Sequence, residues 1–289
     1  WCIHLGATSN DIVDSAVGLQ LRDSMVILRK RLCDLIGVVA DLSERERDTV
    51  MIGRTHGQAA VPITFGLKTA VWVDELVRHL NRLDEAWKRI AVGKFLGAVG
   101  TGAAQGKDAR KLQELILTHL GLEVPLVTTQ VVGRDRYVEY IAWLANVATT
   151  CEKILHEIRN LQRTEIAEAG EGFDKDKQVG SSTMAHKRNP ITSENACGLA
   201  RIARSFIIPT YENALLWHER DLANSSAERF TLSHAGSLLD DVITKTNRVL
   251  TNLWVDSDRM LSNIHSQKGL VMAEKMMIAL VDKGMPRDE

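Results

Sequence analysis

RDRYVEYIAWLANVATTCEKILHEIRNLQRTEIAE, residues 134–168, is the stretch on which the fold turns. Tyr137, Ile141, Leu144, Ala148, Cys151, Leu155 and Ile158 step by four and three in alternation, the heptad spacing of a helix packed in a bundle. Tyr140, Val147, Ile154 and Leu161 set a second apolar row beside the first. A helix apolar on two faces needs more than one neighbour. The spacing therefore predicts a bundle-interior helix from Arg134 to about Glu168, in a core open to sharing between subunits.

The same period extends over most of the chain. From Asp11 to about Glu46, Ile12, Val13, Ala16, Leu19, Leu28, Leu32, Leu35, Ile36, Val39 and Leu42 form one stripe of a long helix. The loop-like MIGRTHGQAAVP, residues 51–62, separates it from a second helix expected from about Ile63 to Val92. KFLGAVGTGAAQG, residues 94–106, has four glycines and no helical period, and so reads as a turn or hairpin. A shorter helix is expected from Ala109 to Leu120, stopped by Gly121. The segment Gly170 to Asn189 breaks the period. Helices resume at about Ile191–Tyr211, Asn224–Leu253 and Leu270–Val281, the last ended by Gly284 and Pro286. The five prolines fall between these patterns or near their ends, and no run of alternating strands stands out. The fold class expected is all-α.

Composition narrows the function classes. A formal net charge of -1 over 289 residues lacks the basic surplus of a dedicated nucleic-acid binder. No apolar run reaches the roughly 18–20 residues that span a bilayer, and the opening WCIHLGATSND has neither the cationic nor the apolar region of a signal peptide. No membrane partner and a cytoplasmic location are expected. Cys2, Cys33, Cys151 and Cys197 show no CxxC spacing and read as reduced, mostly buried thiols. The nine histidines show no HxxxH or HExxH pattern. The glycines of GAVGTGAAQG follow no convincing strand, so a dinucleotide site is not expected.

Five inter-helix segments carry polar groups that helix packing does not require: HLGATSND (4–11), GRTHG (53–57), TTQ (128–130), GSSTMAHKRNP (180–190) and ENALLWHERDLANSSAER (212–229). In a bundle of long helices such loops can meet at one end. Singly, each reads as a cap or solvated turn, which suffices for Asp11 or Asn224. His56, flanked by Gly57, sits where a ligand and backbone could approach closely, and an imidazole exchanges protons near neutrality. Ser181 and Ser182 after Gly180 suit an anion-binding nest as well as a flexible linker; Lys187, Arg188 and Asn189 favour a dicarboxylate. Glu194 reads as a helix N-terminal charge or as an imidazole's partner. Arg220 and Arg229 read as surface ion-pair residues or as carboxylate and phosphate forks.

GSSTMAHKRNP closely resembles the GSSxMPxKxNP signature of the fumarase/aspartase superfamily, with Ala185 where the family has proline. HLGATSND resembles the HxGxTSxD segment of adenylosuccinate lyases, and GRTHGQAAVPITFGLK their GRTHG loop. WHERDLANSSAER resembles those lyases' WHERD…SSAER element rather than the corresponding stretches of fumarase, aspartase or argininosuccinate lyase. The resemblance runs over essentially the whole chain.

It implies a long central helical bundle whose core is shared in a homotetramer, with each active site drawn from three subunits. Residues 1–10 would end an N-terminal region, 11–260 form the bundle domain and 261–289 begin a C-terminal helical domain. The implied reaction is anti β-elimination of fumarate from adenylosuccinate, giving AMP, and from SAICAR, giving AICAR. Ser181 matches the general base, His56 the acid, Glu194 the carboxylate paired with that histidine, and Lys187 and Asn189 the carboxylate-binding pair. His4, Thr8, Ser9, Gln130, Arg220, Ser225 and Arg229 match substrate-binding positions. No metal or organic cofactor is implied. Because the family's N-terminal domain and most of its C-terminal domain have no counterpart here, little or no activity is expected of the 289-residue chain alone. Alternatives are another fumarate-releasing lyase, a carboxymuconate cycloisomerase, which shares HKRNP, or a non-catalytic protein on the same fold.

Overall fold

The structure is a computed structural model that describes residues 4–172, 184 and 186–287. Two compact units divide the chain. The first comprises Trp1–Cys33, Leu76–Cys151 and Gly198–Thr244; the second comprises Asp34–Glu75, Glu152–Cys197 and Lys245–Glu289.

Four long helices dominate: α1 (Ser9–Arg45), α2 (Phe65–Ile90), α4 (Asp135–Leu161) and α7 (Ser225–Thr251). The shorter ones are α3 (Ala109–Leu120), α5 (Ile191–Ser205), α6 (Ile207–Glu212), α8 (Ser257–Ser266) and α9 (Ala273–Val281). The all-α expectation holds. Both apolar rows of α4 are buried, from Tyr137 to Ile158 in one and from Tyr140 to Leu161 in the other, so α4 is an interior helix. In the first unit they share the core with Leu21, Met25 and Leu28 of α1 and Leu239 and Val242 of α7. In the second, Leu35, Val39, Leu42, Leu155 and Ile158 are buried with Met51 and Ile52.

Four features differ from the sequence expectation. Residues 51–62 form an antiparallel hairpin, β1 (Val50–Thr55) and β2 (Gln58–Thr64), rather than an irregular loop. Its two-residue turn is His56–Gly57, both at positive φ (55° and 75°), as a type I′ turn requires. The register shifts between Ile52 and Arg54, so β2 carries an extra residue beside Pro62, which has no N–H to give the ladder. Second, α4 stops at Leu161 rather than Glu168. The chain turns back, Glu168 N–H donates to Leu161 O, and Ala169–Gly170 (β3) pairs with Trp254–Val255 (β4). Third, the expected helix Ile191–Tyr211 breaks at Phe206, because Pro209 cannot donate to the carbonyl of Ser205. Fourth, α8 was not anticipated; its N-cap Asp256 accepts from Arg259 N–H.

Candidate active site

In the first unit, three of the five polar segments converge: HLGATSND, TTQ and ENALLWHERDLANSSAER. Thr8 precedes α1, and its N–H donates to Asp11 Oδ2 at 2.7 Å, the reciprocal half of a capping box. Asp11 does more than cap. It pairs with Lys94, both side chains fully buried, and accepts from Leu96 and Gly97 N–H. This network fixes HLGATSND against KFLGAVG, and Gln105 adds a bond to Gly6 O. The TTQ segment reaches the same place because Gly100 lacks a side chain: a Cβ there would lie 2.0 Å from Thr128 O.

A cavity of about 650 Å³ opens between α1, α4 and the start of α7. Ser9, Asn10, Arg220, Ser225 and Arg229 line it, with Ser24 and Tyr140, whose hydroxyls are 2.7 Å apart. Burial pushes the Tyr140 phenol up to about 12, against the lowering effect of Ser24, so it stays neutral near pH 7. Arg134 is held by Asp14 at 2.7 and 3.1 Å and by Glu228 at 2.9 and 3.3 Å. Burial opposes its charge, but the Asp14 bonds and the facing carboxylates outweigh that, leaving its pKa above the usual guanidinium value.

Arg220 has different company. Its Nη1 donates to Gln130 Oε1 at 2.8 Å, and the Asn10 amide oxygen, turned toward the guanidinium, accepts from Nε and Nη1 at 3.1 and 2.9 Å. Neutral amides orient the fork without cancelling its charge, so Arg220 keeps a positive field for an anionic ligand. Asp221 next to it is spent on the loop, accepting from Ala223 and Trp217 N–H, which hold its carboxyl below the usual range. Of the expected substrate positions, Ser9, Arg220, Ser225 and Arg229 therefore line one cavity and Gln130 orients one of them. Thr8 sits at the N-cap beside Ser9, and His4 is exposed at φ 73°.

The second unit holds the other expected residues. His56 is exposed at the hairpin tip and bonds to no described residue. Its neighbour Arg54 is structural, forked onto the buried Glu168 at 2.7 and 2.8 Å, which Asn263 also meets. Lys187 and Asn189 precede α5. Glu194, in its first turn, faces Arg159 at 3.9 Å and makes no hydrogen bond to His56 in its own chain. Ser181, Ser182 and Ala185 lie outside the described residues. Glu171 anchors the segment's flanks, accepting from Thr192 and Ser193 N–H and from Ser193 Oγ at 3.0–3.1 Å. Gln162 bonds both Glu171 N–H and Arg188 O.

The family model described as Lyase matches residues 2–204, well over half of the chain. The chain belongs to this lyase family. Among curated relatives of this chain, adenylosuccinate lyase of Methanothermobacter thermautotrophicus is 51% identical over 99% of the chain, and that of Staphylococcus saprophyticus is 43% identical over 99%. The chain spans 64% and 65% of their respective lengths. Among solved structures, the 3-carboxy-cis,cis-muconate lactonizing enzyme of Pseudomonas putida superposes with TM-score 0.90 at 33% identity, over 99% of this chain and 62% of that one. A fumarate lyase from Mesorhizobium sp. BNC1 gives 0.89 at 32%, over 97% and 62%. The fumarase-type bundle expected from the signature is thus the observed fold of the chain.

Sequence reading missed Asp14, Arg134, Lys94 and Glu171. Each lies in a helical or loop stretch with no motif of its own, and its partner is 21–120 residues away. Within the candidate site, Arg220 of the WHERD stretch is oriented by neutral amides, whereas Lys94 and Arg134, which belong to no motif, are neutralised by Asp11, Asp14 and Glu228.

Proposed function

We propose that the full-length protein cleaves adenylosuccinate to AMP and fumarate, and SAICAR to AICAR and fumarate. The observation that carries this reading is 43–51% identity to adenylosuccinate lyases over 99% of the chain. The cavity supports it: Arg220, oriented by neutral amides, and the exposed Arg229 offer two cations at the mouth of a pocket wide enough for a nucleotide. The bundle domain at 11–260, between an N-terminal region and a C-terminal helical domain, is part of the same reading.

In the elimination, Ser181 Oγ removes the Cβ proton, the electron pair forms the new C=C bond, and the Cα–N bond breaks toward nitrogen. His56 gives the leaving nitrogen its proton. A serine hydroxyl is too weak an acid to ionise unaided at neutral pH, so its oxyanion depends on backbone N–H groups and a nearby cation, the part assigned to Lys187. The Lys187 N–H donates to Met184 O, but its ammonium meets no hydrogen-bond or ion-pair partner among the described residues and is available to the succinyl carboxylates, with Asn189 as second donor.

His56 and Glu194 find no mutual contact within one chain. A homotetramer in which different copies supply His56, the signature segment and the first-unit cavity accounts for this. Exposed apolar side chains on α1 (Ile12, Val13, Val26, Ile27) and α2 (Leu67, Val71) offer surface for such contacts. Among the described residues no helix is long and apolar enough to cross a membrane, and the site is assigned to a cytoplasmic, small-molecule reaction. The test is fumarate release from adenylosuccinate by the full-length protein, followed by the fall in substrate absorbance. Release supports the assignment. Inertness toward adenylosuccinate and SAICAR, with turnover of a carboxymuconate, would transfer it to the cycloisomerase reading.

A further inference from the structure

Outside the residues assigned to lyase chemistry, three metal-binding side chains of different type meet in the second unit. Glu152 and His156 are four residues apart on α4 and so leave the same face, and Cys197 comes from α5. One carboxylate oxygen, one ring nitrogen and the sulfur all lie within 4.8 Å of one another. His156 Nε2 is 3.3 Å from Glu152 Oε1, and Cys197 Sγ is 4.0 Å from the Glu152 carbonyl. We propose that Glu152, His156 and Cys197 bind one zinc-class divalent cation.

The distances fit such an ion. Ligands at about 2.0–2.3 Å in tetrahedral array stand roughly 3.3–3.8 Å apart. Closing the cluster therefore takes side-chain movements on the order of an ångström. A mixed sulfur, nitrogen and oxygen set selects zinc over magnesium or calcium, which prefer oxygen alone. Access fits as well. Cys197 is 1% exposed and the Glu152 side chain 9%, whereas the His156 side chain keeps 46% of its surface, so the ion enters and holds a fourth, water ligand from the imidazole side.

Binding displaces the Cys197 thiol proton to solvent and takes His156 as the neutral imidazole, so affinity rises with pH. The ion would tie α4 to α5 one turn beyond Glu194, making it a brace for the first turn of α5. Neither the fold nor the proposed elimination requires it, and the inference stands apart from the lyase assignment.

The test is a Co²⁺ titration of the full-length protein with its cysteines reduced. The expected result is one Co²⁺ per chain with a thiolate-to-cobalt charge-transfer band, both displaced by Zn²⁺. Cys197→Ser should abolish that band, while Cys33→Ser leaves it. His156→Ala, at a partly exposed position, should keep its circular dichroism and weaken binding by more than about tenfold, the loss that even an outer-shell change often causes. The proposal is overturned by absence of the band, by its persistence in Cys197→Ser, or by unaltered Co²⁺ affinity in His156→Ala.

Discussion

Replacing His56 with asparagine in the full-length protein should lower kcat about 10²–10⁴-fold, the span expected when a positioned general acid is lost, with KM for adenylosuccinate nearly unchanged. Asparagine is the informative substitution because of the backbone. His56 occupies the first central position of a type I′ turn at φ 55°, followed by Gly57. Asn-Gly is the preferred pair for that turn, so the variant keeps or strengthens the hairpin while losing a group that can transfer a proton. The strands beneath are anchored by buried Met51 and Ile52 and by the Arg54–Glu168 fork, none of which hydrogen-bonds to His56. Loss of turnover in a folded variant would therefore report on chemistry. Unchanged kcat would remove His56 from the mechanism, and an equal loss carried entirely by KM would make it a binding residue.

Arg134→Met is expected to have the largest effect on stability, a loss of about 3–5 kcal/mol, as when one partner of a buried ion pair is removed. The Arg134 side chain is 5% exposed and Asp14 1% exposed, so the deletion strands a buried carboxylate and leaves Glu228 without its fork. Among the described residues, Asp14 would retain the Val132 N–H bond at 2.8 Å. Denaturant unfolding at matched protein concentration measures the loss. Replacing Arg134, Asp14 and Glu228 together with apolar residues of similar volume should recover much of it. A cost for Arg134→Met below about 1 kcal/mol would place the cluster with ordinary surface pairs. Because Glu228 adjoins Arg229 and lies one turn from Ser225, the variant should also raise KM for adenylosuccinate.

The helices were legible where burial is periodic and the ends are marked locally. Gly121, at φ 66°, closes α3 where its sequence says it should. The rows of α4 read correctly for the same reason, but its end did not, because no glycine or proline marks Leu161; the stop comes from long-range pairing of β3 with β4. The hairpin hid behind a turn with histidine where asparagine or aspartate is usual, and behind Pro62 in the second strand. The site divides likewise. Arg220 and Arg229 stand in a motif and were readable through it. Arg134 and Asp14, 120 residues apart, are visible only once folding has brought them together. Glu152 and His156 show their shared face in sequence, whereas Cys197 joins them only in three dimensions.

In the proposed tetramer, one site needs residues from more than one copy of the chain. Full-length His56→Asn and Ser181→Ala proteins, each nearly inactive by itself, can be mixed, dissociated and allowed to reassemble, and fumarate release from adenylosuccinate measured. The expected result is recovery of a substantial part of the parent activity, since in the proposed tetramer some mixed sites would take His56 from one variant and Ser181 from the other. A reassembled mixture no more active than either variant alone, with mixed tetramers present, would contradict it.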